Sequence, residues 1–213
     1  MFVASEELIR LFNFIGSLVC HQRPERTLWV GGHFLPVCAR DTGAYIGLFL
    51  GYLLVLFLRK KGSSGPPNLY MSSIMMLPLF VDSFGQALGF WASTNDLRLF
   101  TGLLFGTALA PMLIYVFSLA MFKFKIPLID KLQPNEAVLD SKDYWLDAKR
   151  LFVGIFFSVI LFFAIRSLEG TTLTLFYWLL SIPIIAMVIW QFFIWPLLVL
   201  IGIARRIFRK VRT

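Results

Sequence analysis

Charged residues are scarce in this sequence. Only 15% of its 213 residues are charged, whereas 58% are hydrophobic and 23 are Phe. An average soluble domain is roughly 45–50% apolar, so a soluble fold of this length could not bury the excess. The charges also cluster in short runs, which leave apolar stretches near the roughly 20 residues that cross a hydrocarbon core. The composition therefore excludes an ordinary soluble domain and predicts an integral membrane protein.

Cysteine is rare as well, since Cys20 and Cys38 are the only two in the sequence. Two cysteines exclude a disulfide-rich scaffold, although one bridge would form in an oxidising compartment. The net charge of +8 comes from Lys and Arg at the ends of apolar segments, so we expect no nucleic-acid partner. We also expect no cleavable signal peptide, because Glu6, Glu7 and Arg10 occupy the place of a basic leader.

The apolar pattern predicts an all-α, polytopic helix bundle of about five to six transmembrane spans. The predicted segments cover residues 8–20, 42–58, 69–91, 97–122, 151–165 and 173 to about 203. The first segment is short and contains Asn13, so an interfacial helix is the alternative to a span. The last run is too long for one straight helix, and Pro183 and Pro196 are places for a kink.

The same pattern divides the chain into three parts. We expect a membrane domain with the polar motifs in residues 1–122, a loop with a short amphipathic helix in 123–150, and two further membrane helices with a basic tail in 151–213. Basic clusters at residues 59–61, 123–125, 149–150 and 205–212 fall on one side if the spans alternate. The positive-inside rule then predicts a multi-pass protein of the cell membrane with a cytoplasmic C-terminus.

The polar loop before the second span carries the side chains best suited to metal binding. Thiolate, imidazole and carboxylate are the usual zinc donors, and Cys20, His21, Cys38 and Asp41 supply all three. Zinc or another divalent metal is therefore the expected cofactor. The spacing matches no standard zinc signature, so a disulfide or two free thiols are the alternatives. His33 follows two glycines and is more typical of a solvated loop residue.

Four arginines are predicted on the same, outer side of the bundle, against the positive-inside rule: Arg23, Arg26, Arg40 and Arg98. Guanidinium groups bind phosphate or carboxylate through paired hydrogen bonds. The expected partners are therefore membrane lipids and an anionic small molecule or lipid substrate. The alternative is that Arg23 and Arg26 extend to lipid headgroups or pair with Glu25 and Asp41.

Asp82 is a carboxylate inside a predicted span, where its insertion costs about 2.5–3.5 kcal/mol unless it meets a polar partner. We expect that partner to be Arg40 or Arg98. Gln86 lies one helical turn away on the same face, and Asn95 follows in the next loop, so both are candidates for substrate binding. A purely structural buried pair is the alternative for Asp82, and capping of the fourth helix is the alternative for Asn95.

Together these motifs resemble a family of small prokaryotic membrane proteins that carry domain of unknown function 2085. The likeness covers about residues 18–106 and rests on the CHQRPER motif at 20–26, the PVCAR motif at 36–40, Asp82 with Gln86, and the STN motif at 93–95 with Arg98. It implies a multi-helix membrane domain in which these positions form one site, and it supplies no activity. Family members have a cysteine where this chain has Asp41, which disfavours a redox dithiol and leaves metal binding open.

The favoured interpretation is a membrane-embedded enzyme with an outward-facing site for an anionic, phosphate-bearing and lipid-like substrate. A metal-assisted hydrolase or transferase would use the arginines for the anion and His21 or Asp82 as general acid or base. One alternative is a transporter or channel for a small anion or metal ion. Another is a non-catalytic structural membrane protein. An oligomer is compatible with each of these interpretations.

Overall fold

The computed structural model describes residues 2–60, 65–120, 144, 146–201 and 204. Within these residues the chain is mostly helical with almost no sheet, and the predicted all-α class is confirmed. The helices are α1 (Phe2–Ser17), α2 (Ala39–Leu58), α3 (Leu69–Ala87), α4 (Asn95–Ala120), α5 (Ala148–Leu168) and α6 (Thr174–Ile189). A short antiparallel hairpin, β1 (Trp29–Val30) and β2 (His33–Phe34), lies in the loop between α1 and α2.

Four helices among the described residues are long and apolar enough to cross a membrane, namely α2, α4, α5, and α6 with its continuation to Ile201. The predicted count of five to six spans is therefore slightly too high by this measure. Helix α1 has 16 residues and is about 24 Å long, less than the roughly 30 Å of a hydrocarbon core. Helix α3 has 19 residues but contains Asp82 and Gln86, which lower its hydropathy.

Helix α3 nevertheless crosses the bundle alongside α5. At one end, the backbone N–H of Asn68 just before α3 donates to the carbonyl of Leu146 just before α5, at 2.9 Å. At the other end, Asp96 after α3 pairs with Arg166 near the end of α5, at 2.6 Å. Helices α3 and α5 therefore begin on the same side of the bundle and end on the same opposite side.

These contacts define two faces of the bundle. The hairpin face contains β1 and β2, residues 88–94 and residues 169–173; the backbone N–H of Gly170 donates to the carbonyl of Trp29 there. The linker face contains residues 65–68 and 146–147, where Gly65 and Tyr144 form an isolated bridge. Consecutive helices from α2 to α6 run between these faces, as the predicted alternation requires. Most of the predicted loop at 123–150, with its amphipathic helix, lies outside the described residues.

Helices α2 and α4 form the closest pair in the bundle, because glycines remove side chains where the backbones meet. A Cβ on Gly47 would lie 2.3 Å from the carbonyl oxygen of Leu103, and one on Gly106 would lie 2.0 Å from that of Ala44. Small residues at four-residue spacing allow such approach in membrane helices. The close contact holds the first turn of α2 against α4.

The third helix ends earlier than the sequence predicts. It stops at Ala87 instead of about residue 91, because Gly89 has a φ of +76° and the backbone N–H of Phe90 donates to the carbonyl of Gly85. A left-handed glycine is a common helix C-terminus. The turn folds Trp91 back over Gly85, where a Cβ would lie 2.1 Å from the indole ring.

The long last run is interrupted at one of the two predicted places. Helix α6 continues through Pro183 and changes to a π-helical turn over Trp190–Ile194, directly before Pro196. Proline cannot donate to the carbonyl four residues earlier and its ring clashes with it, so the helix widens there. The Trp190 indole N–H donates to the Tyr52 hydroxyl at 2.9 Å, which ties this turn to α2.

Candidate functional site

The CHQRPER motif follows the end of α1, and the side chain of its glutamine holds it in place by two hydrogen bonds. Gln22 adopts a left-handed φ of +49°, and its Nε2 donates to the carbonyls of Asn13 at 2.6 Å and Pro36 at 2.7 Å. Gly16 lies against the same Pro36 carbonyl, so that a Cβ would meet it at 1.9 Å. The end of α1 is therefore joined to the residues that lead into α2.

The hairpin that follows reverses the chain between the two cysteines. Gly31 and Gly32 have φ values of +63° and +84°, the left-handed pair typical of a tight two-residue turn. The turn packs on the start of α6, where His33 makes an edge contact with the ring of Tyr177 at 5.4 Å between centroids. His33 is thus part of the packing between hairpin and helix.

The reversal brings Cys20 next to Cys38 and Asp41. Both thiols are free, and the two Sγ atoms and an Asp41 carboxylate oxygen all lie within 4.8 Å of one another. The backbone N–H of Cys38 donates to the Cys20 Sγ at 3.2 Å, and the Cys38 Sγ donates to Asp41 Oδ2 at 3.2 Å. We call these three residues the thiol cluster.

The two thiols differ in their acidity. A side-chain hydrogen bond with the Cys38 thiol is the main reason why the pKa of Cys20 is lowered, despite opposing effects of burial and of Asp41. The same hydrogen bond, together with burial and the negative charge of Asp41, strongly raises the pKa of Cys38. Cys20 is therefore the thiol of the pair that ionises first.

His21 is separated from this cluster although it adjoins Cys20 in the sequence. Among the described residues that could hold a metal, the ligand atoms that converge belong to Cys20, Cys38 and Asp41, without His21. The His21 side chain is exposed on the hairpin face. Its predicted role as a metal ligand receives no support from this geometry.

A second polar group lies where α2, α3 and α4 meet. The Arg40 Nη2 donates to Asp82 Oδ2 at 2.5 Å and to Gln86 Oε1 at 3.2 Å. Asp82 is only 2% exposed and also accepts from the indole N–H of Trp91, at 3.4 Å. The predicted pairing with Arg40 and the predicted common face of Asp82 and Gln86 are both confirmed. The contact with Trp91 was not predicted from the sequence.

Arg98 lies in the first turn of α4 and is 7% exposed. Its Nη1 donates to Asn95 Oδ1 at 2.9 Å, and Asn95 in turn donates to the Glu25 carbonyl at 3.4 Å. The positive charges of Arg26 and Arg40 are near enough to act on Arg98, as is the negative charge of Asp82. We call Arg26, Arg40 and Arg98 the arginine cluster.

The remaining predicted residues have simpler positions. The Arg23 side chain is exposed, and its backbone carbonyl accepts hydrogen bonds from the Thr27 hydroxyl and the Arg26 N–H. Thr94 Oγ1 accepts from the backbone N–H of Leu97 and so caps α4, which leaves the side chain of Asn95 for Arg98. The structure thus brings together every predicted site residue except His21 and Arg23.

Comparison with known proteins assigns these motifs to one family. The family described as "Predicted membrane protein (DUF2085)" matches residues 20–112. An uncharacterised protein of Methanocaldococcus jannaschii is 36% identical over 110 residues, which are 51% of this chain and 70% of that protein. An uncharacterised protein of Methanothermobacter thermautotrophicus is 38% identical over 92 residues, 43% of this chain and 81% of its own length. This chain belongs to the DUF2085 family.

The family match contains both the thiol cluster and the arginine cluster, together with α2, α3 and most of α4. Helices α5 and α6 lie outside the matched residues. This part of the chain nevertheless contacts the hairpin face. Arg166 of α5 pairs with Asp96, and the carbonyl of Thr171, between α5 and α6, accepts a hydrogen bond from the Gly32 N–H. No solved structure matches the chain.

Proposed function

We propose that this protein binds the phosphate-bearing headgroup of an anionic, lipid-like substrate at the arginine cluster. The main support is Arg98, a guanidinium that is 7% exposed and whose Nε has no hydrogen-bond partner among the described residues. A buried donor without a partner costs about 1–3 kcal/mol, and more when it is charged. An anion bound there would remove that cost.

Arg40 offers a second donor of the same kind. Its Nη2 is held by Asp82 and Gln86, while its buried Nε also lacks a partner among the residues that the structure describes. Because Asp82 fixes the guanidinium, the remaining donors of Arg40 are oriented before any ligand binds. Planar guanidinium groups recognise phosphate through two parallel hydrogen bonds, which a lysine cannot supply.

The local charge favours an anion. The guanidinium groups of Arg26 and Arg40 both act on that of Arg98, whereas Asp82 is the carboxylate that neutralises Arg40. Gln86 and Asn95 hold the arginine side chains and add no charge of their own. A phosphate or carboxylate therefore complements the cluster better than a cation would.

A lipid-like substrate fits the surroundings better than a fully soluble one. Leu88, Phe90 and Leu97 flank the cluster and are exposed, although all three are large and apolar. Exposed apolar residues beside a buried positive site are expected where a protein meets lipid headgroups and the adjoining hydrocarbon. Under the positive-inside rule the hairpin face would be the outer one.

A metal-assisted hydrolase or transferase is the reaction class that extends this proposal. The thiol cluster would hold the metal, and Arg40 of the arginine cluster lies between Cys38 and Asp41 in the first turn of α2. His21 is exposed beside Cys20 and would be free to act as general acid or base. Asp82 is engaged by Arg40 and Trp91, so it serves to position Arg40 more readily than to transfer protons.

Binding is tested by the thermal stability of the purified protein in detergent micelles. Phosphatidic acid should raise the Tm, phosphatidylcholine should not, and inorganic phosphate distinguishes a free anion from a lipid headgroup. Arg98→Gln should weaken binding of phosphatidic acid by about tenfold or more, because a charge-assisted hydrogen bond contributes about 1.5–3 kcal/mol. Arg98→Lys should lose part of the affinity, since it keeps the charge but not the planar fork.

Arg23→Gln is the matched control, because Arg23 is exposed in the loop between α1 and α2 and its substitution removes the same charge. It should bind phosphatidic acid like the unaltered protein. Equal stabilisation of the Arg98→Gln variant by phosphatidic acid would overturn the proposal, as would equal stabilisation by phosphatidylcholine. Stabilisation by inorganic phosphate alone would retain the anion site but exclude the lipid.

A transporter is the second candidate, and one observation favours it. Polar groups also occur in the last helical run, away from the arginine cluster: Trp190 donates to Tyr52, and the Gln191 Oε1 is buried with no partner in the described part of the chain. Buried polar residues within spans often line a pathway. Uptake of phosphate into liposomes that contain the protein, abolished in Gln191→Leu, would favour transport over headgroup binding alone.

A further inference from the structure

The thiol cluster is composed of side chains from two separate parts of the chain. Cys20 comes from the loop after α1, whereas Cys38 and Asp41 come from the first turn of α2, with Cys38 as its N-cap residue. Their ligand atoms lie within 4.8 Å of one another, and the Cys38 Sγ is 3.2 Å from Asp41 Oδ2. On one tetrahedral zinc, two sulfur ligands are about 3.8 Å apart, and a sulfur and an oxygen ligand are about 3.6 Å apart, given Zn–S and Zn–O bonds of about 2.3 and 2.1 Å.

The surrounding fold holds these groups in place before any ligand is considered. Gln22 joins the end of α1 to Pro36, and the hairpin between the cysteines is bound to residues 170 and 171 by backbone hydrogen bonds. Cys38 and Asp41 are separated by less than one helical turn and therefore project from the same end of α2. Small side-chain rotations would bring all three donors to one ion.

We infer that Cys20, Cys38 and Asp41 bind one divalent metal ion of the zinc class. Two thiolates select a borderline or soft metal over Mg²⁺ and Ca²⁺, which prefer oxygen ligands. The helix N-terminus adds partial positive charge beside Cys38 and Asp41, which favours their ionised forms. The inference names the metal site on which the proposed reaction class rests, and it does not depend on the proposed headgroup site.

The cluster supplies three protein ligands, so one tetrahedral position remains open. Structural zinc sites have four protein ligands, whereas catalytic sites keep a position for water or substrate. Arg40 lies between Cys38 and Asp41 in the first turn of α2, so an ion here would lie in the same polar region as the arginine cluster. The site is therefore of the open type.

The test uses Co²⁺, which reports thiolate ligation by its absorption. Full-length protein is purified in detergent, reduced and freed of metal, and Co²⁺ is titrated in at neutral pH. One equivalent should produce a thiolate-to-cobalt charge-transfer band, and one equivalent of Zn²⁺ should abolish it, because zinc binds such ligands more tightly. Elemental analysis of protein purified without chelator should find about one metal per chain.

Variants assign the ligands. Cys20→Ser and Cys38→Ser should each weaken the band and lower Co²⁺ affinity by about a hundredfold, and Asp41→Asn should lower the affinity by about tenfold with the band kept. Asp41→Cys should instead raise the affinity for Zn²⁺ and strengthen the band, since it adds a third thiolate. This gain is informative even if the serine variants fold poorly.

His21→Ala is the matched control, because His21 adjoins Cys20 but lies outside the group of converging ligand atoms. It should bind Co²⁺ with unchanged affinity.

The inference is overturned if the reduced, folded protein gives no charge-transfer band, or if Asp41→Cys leaves the affinity unchanged. It is also overturned if protein purified without reductant and without metal has the mass of a Cys20–Cys38 disulfide. A loss of binding in His21→Ala would assign the ion to a different ligand set. None of these results bears on the Tm measurement with phosphatidic acid.

Discussion

Arg40 and Asp82 form an ion pair of 2.5 Å that joins the first turn of α2 to the last turns of α3. Asp82 is 2% exposed, so its charge is shielded from water and depends on Arg40 and Trp91. The pair also fixes the guanidinium that we assign to anion binding. It is therefore both a structural link between two helices and a part of the proposed site.

Removing one partner of this pair should be more harmful than removing both. Asp82→Leu leaves Arg40 without its counter-ion in a mostly buried position, which should lower the free energy of unfolding by about 3 kcal/mol. The double variant Arg40→Met, Asp82→Leu should recover a large part of that loss, because apolar side chains replace both charges. Unfolding in mixed SDS micelles, followed by circular dichroism, measures both values.

The exposed pair of Glu6 and Arg10 on α1 is the control, since these side chains are 71% and 82% exposed. Exposed ion pairs contribute about 0–1 kcal/mol, so Glu6→Gln should change the stability very little. If Asp82→Leu were no worse than Glu6→Gln, the buried pair would not hold α2 and α3 together.

A methyl side chain at Gly106 should destabilise the contact between α2 and α4. A Cβ there would lie 2.0 Å from the Ala44 carbonyl oxygen, and both groups belong to helix backbone that cannot rotate away. Gly106→Ala should therefore lower the free energy of unfolding by about 2 kcal/mol through overpacking. The same SDS titration measures it.

Gly154→Ala on α5 is the matched substitution for this prediction. Its new Cβ would approach the Leu54 side chain at 2.7 Å, and the end of a flexible side chain can move. The loss should stay below about 1 kcal/mol. Equal effects at Gly106 and Gly154 would contradict the close backbone packing of α2 and α4.

Much of the fold can be predicted from the sequence, because each membrane span is a continuous run of apolar residues. The predicted segment at 42–58 corresponds to α2 (Ala39–Leu58), and the one at 151–165 to α5 (Ala148–Leu168). The errors occur where single residues decide the geometry. Gly89 ends α3 early through its left-handed backbone, and α1 is shorter than a span.

The site could be predicted only in part, because the spacing of residues in the sequence does not show which distant residues come into contact. The Asp82 and Gln86 pair follows from helical periodicity, and a buried carboxylate requires a cation such as Arg40. The approach of Cys20 to Cys38 depends on the hairpin between them, for which the Gly31-Gly32 pair is a sequence signal. His21 is exposed because of the path that the backbone takes after Cys20, and the position of His21 next to Cys20 in the sequence does not reveal that path.

Orientation in the membrane gives a further prediction. In the sequence, the basic residues at 59–61 follow α2 and those at 205–212 follow the last span. The positive-inside rule places both of these span ends, and with them the linker face, in the cytoplasm. A reporter fused at the C-terminus that fluoresces only in the cytoplasm should therefore be active, and alkaline phosphatase at the same place should be inactive. Alkaline phosphatase inserted after Gly170, on the hairpin face, should be active. The reverse pattern would place the thiol and arginine clusters in the cytoplasm.

The acidity of the two thiols predicts which of them reacts first. The hydrogen bond from Cys38 lowers the pKa of Cys20 below its ordinary value of 9.0, and the pKa of Cys38 is raised well above it. Only the thiolate is nucleophilic, so iodoacetamide should label Cys20 with a half-maximal rate below pH 9.0 and leave Cys38 unlabelled at that pH. Peptide mass spectrometry of metal-free protein in detergent, labelled across a pH series, gives both midpoints.

The sign of this effect is checked by removing its cause. Cys38→Ala removes the side-chain hydrogen bond that lowers the pKa of Cys20 and keeps burial and Asp41, which both raise it, so the labelling midpoint should move to higher pH. Asp41→Asn removes a raising influence, so the midpoint should move to lower pH. The midpoint is the quantity to compare, because burial of Cys20 slows the reaction at every pH. A midpoint that stays fixed in Cys38→Ala would show that the two thiols do not interact in the folded protein.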